Sequence, residues 1–168
     1  QILILGGGYA GVAAGKKLHK LFKNDDSVEI TLIDRKSYHT LMTELHEVAG
    51  HRTNPDAIQI DLRTIFAERK VKVVTDSINH VDFEKKQLVS DKKTYKFDYL
   101  VLACGSDSNS FGIEGIDQHA FTLWSYEDAV KLRAHIENMF QLAAIEEDAE
   151  VRKQLLTFAV VGGGFTGV

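Results

Sequence analysis

A glycine-rich segment near the start of the chain, GGGYAG at residues 6–11, is the first whose residue types and spacing could do chemistry. It follows the apolar residues 2–5 and precedes apolar residues at helical spacing, a pattern that predicts a strand, a tight turn and a helix. Gly6 allows the turn, Gly8 lets the backbone approach a pyrophosphate, and Gly11 lets the helix pack close to the strand. The N–H groups at the helix start would bind phosphate oxygens. The segment therefore predicts a dinucleotide site.

An acidic residue stands where such a site needs one. Residues 28–33 form a second run, mostly apolar and rich in β-branched residues, which predicts a strand and ends at the acidic Asp34. A carboxylate about 20 residues after the glycine motif can accept hydrogen bonds from a ribose hydroxyl and would repel a 2′-phosphate. The two runs and the helix between them predict a βαβ unit with parallel strands and a right-handed connection.

The glycine motif occurs twice. Residues 158–168, FAVVGGGFTGV, repeat the pattern of residues 2–12, ILILGGGYAGV, at opposite ends of the 168-residue chain. So long a spacing is no solenoid period and indicates two domains of one kind, the second only beginning here. We therefore predict a dinucleotide-binding domain over residues 1–145, followed over residues 146–168 by a linker and the start of a second domain. On this interpretation the chain is a piece of a longer protein.

The stretch between the motifs changes in texture. Three short alternating segments separated by charged turns predict an antiparallel meander, and the apolar run after them predicts a further buried strand. Ser125 with Asp128 resembles a capping box at the start of a long amphipathic helix. The fold class expected is α/β, a Rossmann-like domain with a parallel sheet and an antiparallel β-meander insert. The further predicted elements are strands at 71–74 and 99–103, meander strands at 77–83, 87–90 and 94–97, and helical segments at 41–48, 58–69 and 126–144.

Composition and spacing argue against several classes of function. The chain is 44% hydrophobic and 26% charged, with a net charge of −4 and no sustained basic run, so a nucleic-acid partner is not expected. One cysteine, Cys104, cannot supply dithiol chemistry. His46 and His51 are one residue too far apart for a zinc-binding H-E-x-x-H pair, so no metal site is expected. No tyrosine is followed four residues later by the lysine of a short-chain dehydrogenase.

Five segments together resemble the type II NADH dehydrogenases, and the likeness runs over the whole chain. Members of that family are single-subunit, non-pumping flavoenzymes that pass electrons from NADH through FAD to a quinone. The resemblance implies FAD at the first glycine motif and NADH at the second, with Gly162, Gly164 and Gly167 in the second site. The segments are GGGYAG at 6–11, YHT at 38–40, ELHEVAG at 44–50, FGIEG at 111–115 and GGGFTGV at 162–168.

The resemblance also carries roles to individual residues. Asp34 with Arg35 would lie at the adenosine ribose, and Val81 against the adenine. The segment from Thr43 to Gly50 would lie near the flavin and the approach to the quinone. Two groups of residues would approach the cofactor with their backbone atoms. They are Gly6, Gly8, Tyr9, Ala10 and Gly11 at the pyrophosphate, and Ala103, Cys104 and Gly105 beside it.

Cys104 stands where the family usually has threonine. With no cationic neighbour in sequence, it is expected to be a small buried residue and not a reactive thiol. No residue of the chain is predicted to be a general base or nucleophile, because a flavin would do the chemistry while the protein binds and orients it.

The resemblance implies NADH and a quinone as partners of the full-length protein, and it is compatible with a homodimer. Membrane contact would come through a C-terminal part outside these residues, on the cytoplasmic, inner face of the cell membrane. Two other interpretations stay open. One is another flavoprotein reductase with paired dinucleotide motifs, such as a ferredoxin- or disulfide-reductase-like enzyme, and the other is a non-catalytic nucleotide-binding module.

Overall fold

A computed structural model describes residues 1–162 of the chain. They form two compact units. The sheet unit consists of Gln1–Thr40 and Gln59–Ser106, and the helical unit consists of Leu41–Ile58 and the described part of Asp107–Val168. The strands, all in the sheet unit, are β1 (Ile2–Leu5), β2 (Ile30–Asp34), β3 (Tyr38–Thr40), β4 (Gln59–Asp61), β5 (Lys72–Thr75), β6 (Ile78–Asp82), β7 (Gln87–Ser90), β8 (Thr94–Lys96) and β9 (Tyr99–Leu102). The α-helices are α1 (Tyr9–Phe22), α2 (Leu45–Ala49), α3 (Leu62–Ile65), α4 (Ile116–His119), α5 (Tyr126–Ile145) and α6 (Ala149–Leu155).

A four-stranded parallel sheet in the order β5-β2-β1-β9 forms the centre of the sheet unit. The consecutive residues Leu3 and Ile4 of β1, whose side chains point to opposite faces of the sheet, are both fully buried, as expected of a parallel strand covered on both faces. Helix α1 covers one face, where Gly15 lies so close to Phe66 that a Cβ would come within 2.8 Å of the ring. The predicted βαβ unit is therefore confirmed, and it places residues 6–8 between the end of β1 and the start of α1.

The antiparallel meander is also confirmed, as a three-stranded sheet in the order β6-β7-β8. Its buried Leu88 belongs to one hydrophobic cluster with Leu3, Ile33 and Phe97. The meander thus covers part of the parallel sheet with apolar side chains. The fold is the expected α/β architecture, with an antiparallel insert before the last parallel strand.

One strand of an antiparallel pair lies where the sequence pattern predicts a helix. Residues 59–61 form β4, which pairs antiparallel with β3 so that Ile60 is opposite His39. The helix expected over residues 58–69 is reduced to α3, which the Asp61 side chain caps by accepting from the N–H of Thr64 at 3.0 Å. Three-residue strands give no detectable period of their own, so the pairing partner decides the structure here.

The helical unit is organised around α5, which starts with the expected capping box. The Ser125 hydroxyl accepts from the N–H of Asp128 at 3.1 Å, and the Asp128 carboxylate accepts from the N–H of Ser125 at 2.9 Å. Residues 41–48, predicted as helical, form a 3₁₀ turn at Met42–Glu44 and then α2. The core of this unit contains Leu45, Val48, Ile58 and Ala129.

The acidic segment after α5 contains a second, unpredicted helix start. Asp148 caps α6 by accepting from the N–H of Glu150 at 2.8 Å, so the expected break is only three residues long. Residues 157–162 have no regular secondary structure, and residues 163–168, with most of the second glycine motif, lie outside the described residues. The boundary at residue 145 stays a prediction. None of the helices within residues 1–162 combines the length and hydropathy needed to cross a bilayer.

Candidate functional site

The turn between β1 and α1 can be built only with glycine at two positions. Gly6 has φ +112°, and a Cβ there would lie 2.2 Å from the carbonyl oxygen of Ala103. A Cβ on Gly11 would lie 1.8 Å from the carbonyl oxygen of Gly6. Both distances are far inside van der Waals contact, so any side chain would force the turn open. These two glycines let α1 start directly against β1 and β9.

Gly8 is different, because a Cβ on it would meet no heavy atom within 4 Å. Gly8 is the N-cap of α1, its φ of −73° is accessible to any residue, and no side chain of the described residues caps the helix through it. The first turn of α1 contains no acidic residue. A helix start with an open approach and no carboxylate of its own favours an anionic ligand, because its N–H groups and dipole are positive there.

Asp34 lies at the glycine turn, as its position at the end of β2 predicts. Its Oδ2 accepts from the N–H of Gly7 at 2.5 Å, and its Oδ1 accepts from the N–H of Lys36 at 2.7 Å. Each carboxylate oxygen has two acceptor positions, so the half-buried group can accept further hydrogen bonds from a ribose. Asp34 therefore supports the turn in addition to the ligand role that the sequence predicts.

His39 also holds the turn, a role that the sequence pattern did not predict. Its Nδ1 lies 3.0 Å from the carbonyl oxygen of Gly7, and its ring contacts the Tyr9 ring edge to face, with centroids 4.7 Å apart. His39 is 6% exposed. Because His39 and Gly7 are 32 residues apart in sequence, only the pairing of β3 beside the turn brings them together.

The family model for pyridine nucleotide-disulphide oxidoreductases matches residues 1–168, the whole chain. The chain belongs to this family. Its members' name refers to disulphides, yet the one cysteine of this chain cannot form an internal disulphide. The glycine turn is accordingly the candidate chemical feature of the described residues.

Individual members of the oxidoreductase family resemble the chain to different degrees. The chain is 34% identical over its full 168 residues to the type II NADH:quinone oxidoreductase of Staphylococcus haemolyticus, of which it spans 41%. It also resembles the solved structure of NDH2 from Plasmodium falciparum in complex with NADH, with a TM-score of 0.72 and 21% identity, over 91% of this chain and 32% of that one. NADH:rubredoxin oxidoreductase from Clostridium acetobutylicum gives a TM-score of 0.66 and 26% identity, over 83% of this chain and 36% of that one.

The segment after β9 lies beside the glycine turn of the oxidoreductase fold. The N–H of Ala103 donates to the carbonyl oxygen of Leu5 at 2.8 Å, and Gly105 has φ +74°. Cys104, expected to be buried, is exposed. The expectation was wrong because β9 ends at Leu102, and the thiol, with Sγ 3.8 Å from the Leu5 carbonyl oxygen, is no longer covered by neighbouring strands.

The other predicted site residues lie on several different elements of the chain. Val81 is half-buried on β6 and packs in the cluster of Leu3 and Leu88, while Arg35 is exposed. Thr43 lies in the 3₁₀ turn of the helical unit, and Gly162 has φ +109°. Gly164 and Gly167 lie outside the described residues. The cofactor contacts assigned to these positions stay predictions.

Two grooves among the described residues lie in the helical unit. They have volumes of about 590 and 540 Å³ and are lined by residues of α5 and of residues 49–55. No group of three or more potential metal ligands comes together among residues 1–162. The candidate site is therefore a surface turn built from backbone groups, with Asp34 and His39 beneath it.

Proposed function

We propose that this chain is the FAD-binding part of an enzyme that passes electrons from NADH through FAD to a quinone. The observation that carries the proposal is the open position at Gly8, at the uncapped start of α1 and next to a turn that Asp34 holds. The likeness of the whole chain to type II NADH:quinone oxidoreductases supports it. The chain spans 41% of the length of those relatives.

The residues of the turn fit the dinucleotide part of FAD. A Cβ on Gly8 would occupy space that no described atom fills, which is the space a pyrophosphate needs for close approach. We propose that backbone groups of Gly8, Tyr9, Ala10 and Gly11 hold the pyrophosphate. Around them, the proposed contacts are Gly6 in the turn beside the pyrophosphate, Asp34 and Arg35 toward the ribose, Val81 toward the adenine, and Thr43, Ala103, Cys104 and Gly105 toward the rest of the cofactor.

The protein's own part in the reaction is binding and orientation. When bound, FAD would supply the redox chemistry between NADH and the quinone. The helix start would offset pyrophosphate charge, and the half-buried Asp34, which holds the turn through the Gly7 N–H, would also accept hydrogen bonds from the sugar. None of these steps needs a nucleophile or general base from residues 1–162.

The second motif extends the proposal to NADH. We propose that Gly162, Gly164 and Gly167 belong to the NADH site, because they repeat the positions of Gly6, Gly8 and Gly11 in the first motif. A homodimer, and contact of the full-length protein with the inner face of the cell membrane, remain predictions from the resemblance.

Flavin spectroscopy on the whole protein tests the proposal. The purified protein, or apoprotein given FAD, is expected to show a protein-bound flavin spectrum. Anaerobic NADH should bleach the flavin absorbance, and a short-chain quinone should restore it. Absence of bound flavin after reconstitution would contradict the FAD assignment. Bound flavin that NADH does not reduce would instead support a non-catalytic nucleotide-binding module.

A protein acceptor is the second candidate for the last step. The NADH:rubredoxin oxidoreductase that shares 26% identity with this chain is named for one. Rubredoxin should therefore be offered in parallel with the quinone to the NADH-reduced protein. Faster reoxidation by the quinone is expected, and faster reoxidation by rubredoxin would replace the quinone in the proposal while leaving the FAD and NADH assignments intact.

A further inference from the structure

The Gly7 peptide units are held from both sides by side chains. The N–H of Gly7 donates to Asp34 Oδ2 at 2.5 Å, and the carbonyl oxygen of Gly7 lies 3.0 Å from His39 Nδ1. A carbonyl oxygen can only accept, so Nδ1 of His39 carries the hydrogen and donates it. Residue 7 is therefore clamped between β2 and β3, the strands that carry Asp34 and His39.

His39 has little freedom to leave this position. Its backbone is in β3, paired with Ile60 of β4, and the residue is buried. The Tyr9 ring lies against it at an interplanar angle of 83°. A buried donor with a fixed backbone and a packed ring holds its acceptor in one orientation, because moving it would cost both the contact and the hydrogen bond.

The orientation of the Gly7 carbonyl determines that of the next N–H. The peptide bond is planar and trans, so the carbonyl oxygen of Gly7 and the N–H of Gly8 point in opposite directions in one plane. Fixing the oxygen on His39 therefore aims the Gly8 N–H away from His39. Gly8 is also the residue of the turn whose Cβ position is open.

We propose that His39 is a positioning residue for FAD: its Nδ1–H holds the Gly7 carbonyl and thereby presents the Gly8 N–H to the pyrophosphate. This inference rests on the proposed function, which assigns FAD to the turn. The hydrogen bond is made by both the neutral Nδ1–H tautomer and the imidazolium, because Nδ1 carries a hydrogen in each.

Substitution of His39 in the whole protein tests this role. His39→Leu removes the donor, and His39→Asn keeps an N–H close to the Nδ1 position. The matched control is His19→Leu, because His19 also makes a backbone hydrogen bond in the sheet unit, accepting from the N–H of Lys70 at 2.9 Å near the other end of α1. FAD dissociation constants are measured by flavin fluorescence quenching, and thermal unfolding of each apoprotein monitors folding.

His39→Leu is expected to weaken FAD binding on the order of tenfold, the equivalent of about one hydrogen bond. His39→Asn should recover most of that loss, and His19→Leu should bind FAD as wild type does even where its thermal stability falls. Equal FAD affinity in wild type and His39→Leu would overturn the inference, and so would a His39→Asn variant that binds no better than His39→Leu.

A measurement on the unmodified protein keeps the test independent of variant folding. In ¹⁵N spectra of the histidine-labelled protein near neutral pH, the His39 ring should show a protonated Nδ1, assigned by its loss in His39→Asn. A neutral ring protonated only at Nε2 would overturn the inference. Wild-type protein that fails to bind FAD would overturn the proposed function with it, whereas FAD binding that ignores His39 overturns the positioning role alone.

Discussion

Gly8 and Gly11 belong to one motif, yet the structure requires glycine at only one of the two positions. A Cβ on Gly11 would collide with the protein's own backbone, 1.8 Å from the Gly6 carbonyl oxygen. A Cβ on Gly8 would collide with nothing within 4 Å, and its backbone angles suit any residue. Gly11 is therefore required for the turn itself, while the requirement at Gly8 must come from something outside the described chain.

This contrast gives a prediction with a built-in control. Gly8→Ala should leave the free energy of unfolding of the apoprotein within about 0.5 kcal/mol of wild type. It should weaken FAD binding at least about tenfold, because the methyl group enters the space of the pyrophosphate. Gly11→Ala should lower both stability and FAD affinity. Calorimetry of the apoproteins and fluorescence titration with FAD separate the two effects. A Gly8→Ala variant with unaltered FAD affinity would contradict the FAD site.

Among the secondary-structure elements, the meander is held to β5 by a carboxylate, not by apolar contacts alone. Asp76 follows β5 and is 6% exposed. Its Oδ2 accepts from the hydroxyls of Tyr95 on β8 at 2.6 Å and Ser90 on β7 at 2.7 Å. The hydrogen bond from Tyr95, followed by that from Ser90, lowers the pKa of Asp76, and burial together with Asp76 raises the pKa of Tyr95 to about 12.

These pKa shifts predict two pH windows for the stability of the meander. The stabilisation from Asp76 is present above its ordinary pKa near 3.8 and is lost as the pH falls below that value. The stabilisation from Tyr95 is present below pH 10 and is lost as the pH rises toward about 12. Tyr95→Phe should therefore shift the acid unfolding midpoint to higher pH and remove the alkaline loss. Circular dichroism across pH measures the acid midpoint and the alkaline loss. An acid midpoint equal to that of wild type would show that the hydrogen bond from Tyr95 does not stabilise the Asp76 carboxylate.

The elements that sequence patterns predicted are those whose signals are local. The βαβ unit, the meander and the capping box of α5 all rest on patterns within about 30 residues, and all three form. The strand pair β3 and β4 was missed because each strand has three residues and forms only through the other. The burial of Cys104 was predicted wrongly for a related reason, since exposure past a strand end depends on neighbours distant in sequence.

At the candidate site, too, the residues with a local sequence signal could be predicted and those placed by distant partners could not. Gly6, Gly11 and Asp34 could be predicted, because the motif fixes their spacing relative to β1 and β2. The hydrogen bond between His39 and Gly7 could not, because it depends on where β3 places its middle residue.

For the whole molecule, the division into two units and the predicted domain boundary differ. The sheet unit contains Gln1–Thr40 and Gln59–Ser106, whereas the predicted FAD-binding domain covers residues 1–145 and so includes α5. The predicted site residues fall in both units, since Thr43 belongs to the helical unit. Which segments respond to the cofactor is thus a measurable property of the whole protein.

Hydrogen exchange with and without FAD should show the extent of the cofactor domain. We expect slower exchange of the amides in residues 6–11 and in the segment around Thr43, and unchanged exchange in α6. At a free FAD concentration of about 100 Kd, amides that exchange only from the unbound state should slow by up to about 100-fold. Mass spectrometry of peptides from the whole protein gives the comparison. Protection that extends through Ala149–Leu155 would place the boundary beyond residue 145.

The position of β1 in the middle of the parallel sheet has a consequence for how the protein is made. Its four apolar residues pair with β2 on one side and with β9, close to residue 100, on the other. Ribosomes add about 5–20 residues per second. The edge of β1 that pairs with β9 therefore stays unpaired for roughly 5–20 s, until β9 has been synthesised. An unpaired apolar edge can pair with neighbouring nascent chains. Yield in a cell-free translation should therefore depend on chaperones that cover this edge until residues 99–102 leave the ribosome.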